Sequence, residues 1–284
     1  MTTEVSRRAF FGAVATAAAV PALGAASAPP ATAAAAASDR TLKLGVASYS
    51  MRKFTLDQAL EMARALDIRY MTFKDVHIPR TDPPETTRAL RAKIEAAGIT
   101  IMGGGTINMP NDPEQIRKDF VYAKTAGMPL IYASPDPAAL DFIETMVKQH
   151  DIRLVIHNHG PEDKWWPAPA DAYKALASRD QRMGLCIDIG HTIRTGTDPV
   201  QACVDCQDRL YDMHVKDLRV ETDRDSQVEV GRGVIDFPGL FRALLKMGYQ
   251  GQVGLEYEIK ADDPLPGMQE SIAYMRGVLA ALTA

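Results

Sequence analysis

The sequence predicts a (β/α)8 barrel, a single domain in which eight parallel strands alternate with helices and close into a ring. Three observations predict it. Eight short apolar runs recur from Lys43 onward, and stretches with helical periodicity separate them. Roughly 240 residues divided among eight units gives about 30 per unit, the size of a strand–helix repeat. Several runs are nearly continuous in apolar residues, as expected of strands buried on both faces. An open, doubly wound sheet would be expected to carry a glycine-rich phosphate turn after its first strand, and "GVASYSMRK" has none.

In order, the strand-like runs are "LGVASYS", "RYMTFKDV", "ITIMGGG", "LIYASP", "RLVIHNHG", "MGLCIDIGH", "LYDMHVKD" and "QVGLEYE". Between the first two, "TLDQALEMARAL" places Leu56, Ala59, Leu60 and Ala63 on one helical face. "DPEQIRKDF" offers Asp112 as N-cap, Pro113 at the first helical position and Gln115 to complete a capping box. Gly98, Gly127 and Gly248 each follow a helical run directly and read as stops.

Residues 1–37 stand outside this pattern. Arg7 and Arg8 precede an Ala- and Gly-rich apolar stretch, and an A-x-A pattern runs to Ala37 just before Ser38. That reads as a twin-arginine export signal, leaving residues 38–284 as the barrel and a periplasmic or otherwise exported location. Pro21 and the small residues make the stretch a poor spanning helix, so no stable membrane insertion is expected after cleavage. The mature chain keeps 30 basic and 35 acidic residues, a formal charge of −5. An acidic protein lacks the clustered Lys and Arg that nucleic-acid binding requires. Three cysteines are present; Cys203 and Cys206 form one C-x-x-C on an expected helix surface, without the second pair that a zinc site needs.

In such a barrel the chemistry sits at the C-terminal strand ends. Strand two ends in Lys74, Asp75 and nearby His77; strand five in His157 and His159; strand six carries Asp188 and closes with His191. Strand seven carries His214, Lys216 and Asp217, and strand eight Glu256 and Glu258. Buried ionisable groups are costly unless paired or metal-bound. Converging in one ring, His157, Asp188, His214 and Glu256 offer two imidazoles and two carboxylates to one divalent ion. Structural salt bridges at the barrel mouth are the competing explanation for any single one of these residues.

"GLCIDIGH", "DMHVKD" and "GRGVIDFPGLFRALLKMGYQGQVGLEYE" resemble the last third of the xylose isomerase-like TIM barrel superfamily of sugar epimerases, isomerases and dehydratases. The resemblance implies one divalent metal, commonly Mn, Mg, Co or Zn, held by residues from strands five to eight, matching Asp188, His214 and Glu256 here; the mixed nitrogen and oxygen donors also suit Fe. It also implies Glu at strand five, where this chain has His157. In the epimerases of that family the Glu is both ligand and one of two opposed bases. His keeps a ligand and removes a base, which favours isomerisation or water elimination through a single enediolate over two-base epimerisation.

The expected activity is therefore that of a metal-dependent sugar isomerase/epimerase-type enzyme acting on a small, unphosphorylated sugar or keto-sugar. A lyase eliminating beside a keto group is the alternative, and a non-catalytic sugar-binding barrel the reading from another class. Apurinic-site endonuclease chemistry, which shares the fold, uses three zinc ions and many histidines, whereas six histidines occur here. Glu256 is the expected base, with Lys216 or His159 to protonate a departing or migrating oxygen. Lys74, His77 and Glu258 are expected to bind substrate, and Trp165 and Trp166 to offer flat faces to a sugar ring.

Overall fold

The computed structural model describes residues 41–284; the export signal expected over 1–37 lies outside them. Ten strands are described: β1 (Lys43–Ala47), β2 (Tyr70–Phe73), β3 (Thr100–Met109), β4 (Leu130–Pro135), β5 (Arg153–His157), β6 (Met183–Asp188), β7 (Leu210–Val215), β8 (Asp217–Leu218), β9 (Gln227–Val228) and β10 (Gln252–Leu255). Eight of them close a ring in the order β1-β10-β7-β6-β5-β4-β3-β2, and every pairing in the ring is parallel. The (β/α)8 architecture expected from the sequence is the one observed. β8 and β9 form a separate antiparallel ribbon on the excursion between β7 and the helix Phe237–Met247, which the sequence did not reveal.

The helices bury the faces that periodicity marked. Leu56, Ala59, Leu60 and Ala63 are buried on the helix Leu56–Ala65, and Thr55 caps it in a full capping box with Gln58. Phe237, Leu240, Phe241 and Leu244 are buried on Phe237–Met247. Each such side chain, fully buried, contributes about 1.5–3 kcal/mol relative to exposure. The stops hold: Gly98, Gly127 and Gly248 all take positive φ.

Two local expectations are corrected. Asp112 does cap the helix Pro113–Ala126, accepting from Glu114 N and Gln115 N, but the Gln115 side chain does not reach back. It donates instead to the buried carboxylate of Asp119, which also pairs with Arg80. Cys203 and Cys206 are not on a helix surface; both are buried free thiols packed in the main core.

Inside the ring, glycines leave room for polar side chains. A Cβ on Gly103 would lie 2.5 Å from the Tyr132 ring, and one on Gly254 would lie 2.5 Å from Gln252 Nε2. The barrel floor therefore holds Tyr132, Gln252 and Asp212 where aliphatic layers are usual.

Candidate active site

At the C-terminal mouth of the ring the strand ends bring four side chains together. One nitrogen or oxygen each from His157, Asp188, His214 and Glu256 lies within 4.8 Å of the others, and all four residues are buried. His157 Nε2 is 3.0 Å from His214 Nδ1 and 3.7 Å from Asp188 Oδ2, and His214 Nδ1 is 3.3 Å from Glu256 Oε2. Asp188 Oδ2 is buried, and the Lys216 ammonium at 3.1 Å and His157 Nε2 at 3.7 Å are the nearest groups it faces. Two imidazole nitrogens facing each other beside two carboxylate oxygens is a donor set suited to a divalent cation of the Mn, Fe, Co or Zn type. The residues present fit the metal that the sequence led us to expect.

Neighbouring elements hold each group in place. β6 ends at Asp188, and His191 belongs to a short helix, Ile189–Ile193, and not to the strand as expected. Asp188 starts that helix: its Oδ1 accepts from His191 N at 2.8 Å, leaving Oδ2 to the cluster. Asn158, between the two histidines, accepts from Asp188 N at 2.9 Å and donates to Thr192 Oγ1 at 3.1 Å. Glu256 is bracketed by Ser50, whose Oγ donates to Leu255 O and accepts from Tyr257 N. Gln227 of the ribbon braces the same segment, donating to Glu256 O and accepting from Glu258 N.

Electrostatics sort these groups by protonation. Burial holds the His157 pKa well below the usual range, with neighbouring His159 and His214 adding to the shift. Burial also lowers His191, to about 3, with the Lys216 charge helping. Arg194 donates to His191 Nδ1 at 3.1 Å, which fixes the neutral ring with its N–H at Nε2. That N–H lies 4.0 Å from Asp188 Oδ2, so His191 is a donor at the edge of the cluster.

Lys216 is more deeply engaged than expected of a group that only reaches for substrate. Its ammonium lies 3.1 Å from Asp188 Oδ2 and 2.9 Å from Glu256 Oε2, and it is paired with Glu258. Burial alone would lower its pKa, but the three carboxylates outweigh that and raise it. A Lys216→Met variant is expected to bind a full equivalent of metal, because no donor atom is lost, while turnover falls. The chelated variant is expected to be less stable than the chelated wild type by about 3–5 kcal/mol, since two buried carboxylates lose their counter-charge. Metal analysis beside denaturant unfolding checks this; a properly folded variant without metal contradicts it.

The other expected site residues divide. His159 lies beyond the end of β5, its ring 4.5 Å from that of His157 and its Nδ1 3.1 Å from Asp163 Oδ2. Lys74 faces the mouth, donating to Thr106 O at 3.2 Å with its ammonium 5.3 Å from the Tyr49 ring. Burial lowers its pKa against the opposing charge of Glu256. Glu258 is at the rim and lines a cavity of about 240 Å³ beside the cluster. His77 is not brought to the cluster: it is buried, with Nε2 donating to Phe54 O at 3.2 Å. Trp166 is a loop anchor, 2% exposed, its indole N–H donating to Pro135 O at 2.8 Å. Trp165 stands 41% exposed with the Lys164 ammonium over its ring, and neither tryptophan lines the cavity.

Asp217 has a structural task. Its buried carboxylate accepts from the backbone N–H of Leu218, Gly231, Gly233 and Ile235, fastening the excursion that carries the ribbon. A Cβ on Gly233 would lie 2.1 Å from Asp217 Oδ1, so only glycine permits that approach. Residues that sequence reasoning missed are Asn158, Ser50, Gln227 and Arg194, which act by holding other residues, and Arg52 and Arg224, which line the cavity.

Residues 138–278 match the family described as "Xylose isomerase-like TIM barrel". A 3-dehydro-D-guloside 4-epimerase of Escherichia coli is 30% identical over 108 residues, 38% of each chain. An inosose dehydratase of Lacticaseibacillus casei is 25% identical over 134 residues, 42% of this chain and 45% of that one. The chain thus spans less than half the length of these curated relatives. Among solved structures, an L-ribulose 3-epimerase superposes with a TM-score of 0.71 at 14% identity, covering 85% of this chain and 96% of the other, a likeness of fold.

Proposed function

We propose that this chain, whose residues 138–278 match the xylose isomerase-like TIM barrel family, is a divalent-metal-dependent enzyme of the sugar isomerase/epimerase type. Its substrate is a small unphosphorylated sugar or keto-sugar, and the reaction runs through an enediolate. The observation that carries this reading is the buried convergence of His157, Asp188, His214 and Glu256 within 4.8 Å. When bound there, the ion would polarise a carbonyl and favour negative charge on the neighbouring oxygens. Glu256, itself one of the four, takes the proton from the carbon next to that carbonyl. Lys216 and the neutral His191 N–H stabilise developing oxygen charge, and His159 exchanges a proton at the rim. Export by the twin-arginine route to the periplasm belongs to the same reading. Among the described residues, no helix is long and apolar enough to cross a membrane.

Elimination beside a keto group is the second reading, and one observation favours it. β5 contributes an imidazole, His157, and no carboxylate, so the cluster has no second acidic base on that side. Incubation of metal-loaded protein with a panel of sugars and 3-keto-glycosides in deuterated water tests both. Isomerisation places deuterium on a ring or chain carbon without loss of mass as water; elimination releases water or an aglycone. Binding without exchange at any carbon sinks the catalytic proposal and leaves a sugar-binding barrel.

The ligand assignment has its own test. His157→Ala is expected to weaken metal affinity by about tenfold or more, whereas His159→Ala keeps the metal and loses activity. Metal analysis of both purified proteins decides it. Wild-type metal affinity in His157→Ala would make His157 a packing residue.

A further inference from the structure

The cavity beside the cluster has a charge pattern that a neutral sugar does not explain. Four cationic side chains line it, Arg52, Arg194, Lys216 and Arg224, against the carboxylates of Asp225 and Glu258. Two of the four are already neutralised: Arg194 pairs with Glu162, and Lys216 with Asp188, Glu256 and Glu258. The other two are not. Arg52 spends its guanidinium on backbone carbonyls, donating to Tyr49 O at 3.2 Å and Glu258 O at 2.7 Å, and lies 4.7 Å over the Tyr49 ring. Arg224 is exposed on the turn before β9 and, among the described residues, forms no salt bridge; the Glu162 carboxylate, already bonded to Arg194, acts on it only at longer range. A chain of net negative charge thus keeps two unpaired guanidinium groups at one cavity, next to its candidate catalytic centre.

We infer that the substrate carries a carboxylate, so that the enzyme acts on an acidic sugar whose anionic end is held by Arg52 and Arg224. This deepens the proposed function and rests on that reading of the site. A guanidinium fork matches a carboxylate in shape and charge. The two carboxylates on the same cavity oppose a second negative charge, which favours a carboxylate over a phosphate. Arg52 also ties this end to the centre, because the carbonyl it holds belongs to Glu258, two residues beyond Glu256.

Titration calorimetry of the metal-loaded protein with D-glucuronate, D-galacturonate, D-glucose and D-glucose 6-phosphate tests the inference. At least one uronate is expected to bind about tenfold tighter than glucose, the worth of one charge-assisted hydrogen bond. The preference should shrink at high salt. Arg224→Gln, on an exposed turn where folding is not at stake, should bring uronate affinity down to that of glucose and leave glucose unchanged. Arg52→Gln should lower uronate affinity as well. Equal binding of acid and neutral sugar overturns the inference, as does absent binding of both uronates or a preference that survives Arg224→Gln. Tighter binding of glucose 6-phosphate than of either uronate overturns the carboxylate in favour of phosphate. Metal analysis of the same samples keeps the two proposals apart. Bound metal without acid preference sinks only this inference; acid preference without bound metal sinks the metal centre.

Discussion

Glu256→Gln is expected to lower kcat by about three orders of magnitude, within the range that removal of a general base produces. The substitution keeps size and shape, so the bonds of Ser50 and Gln227 to the backbone around residue 256 should survive. What is lost is charge. A neutral amide neither takes a proton from carbon nor presents an anionic oxygen beside His214 and Lys216. Metal affinity should fall as well, leaving Asp188 as the one carboxylate among the four donors. Turnover measured at saturating metal separates the two losses. A kcat within tenfold of wild type would remove Glu256 from the role of base and shift attention to Glu258 or His159.

Asp217→Ala is expected to cost about 3 kcal/mol or more of stability. Four backbone N–H groups would lose their acceptor at once, with original distances of 2.9–3.2 Å. Each unsatisfied buried donor costs about 1–3 kcal/mol, and partial rehydration of the excursion sets the lower bound. The expected signature is a lower denaturant midpoint at an unchanged slope. Because the ribbon carries Gln227, which braces Glu256, the folded fraction should also lose turnover. A loss under about 1 kcal/mol would mean that these N–H groups find solvent easily and that the excursion is not fastened by this residue.

The barrel was legible because its signals are local: apolar runs, helical spacing and glycine stops repeat at regular intervals. The four-residue cluster was legible for a related reason. His157, Asp188, His214 and Glu256 sit within one residue of their strand ends, where this architecture concentrates chemistry. What failed depended on side-chain direction. His77 and Trp166 lie at favourable heights along the chain but turn to the carbonyls of Phe54 and Pro135. The engagement of Lys216 with three carboxylates needs three separate elements in register, which spacing within one strand does not encode. Arg52 and Arg224 stand in the chain as ordinary surface charges. Only their placement at one cavity, neither closed into a salt bridge, distinguishes them.

The bracketing of Glu256 by Ser50 has a bearing on how the protein becomes active during synthesis. The two residues are about as far apart in the chain as the barrel allows, and β1 closes the ring against β10. Contacts of such long sequence separation form late in folding, because the intervening chain must first be ordered. A ribosome that has delivered the first seven ring strands has released His157, Asp188 and His214 but not the proposed base. The earliest strand then waits, unpaired along one edge, for the last one. Catalytic competence and ring closure are expected to arrive in the same step, so shorter translation products should be inert.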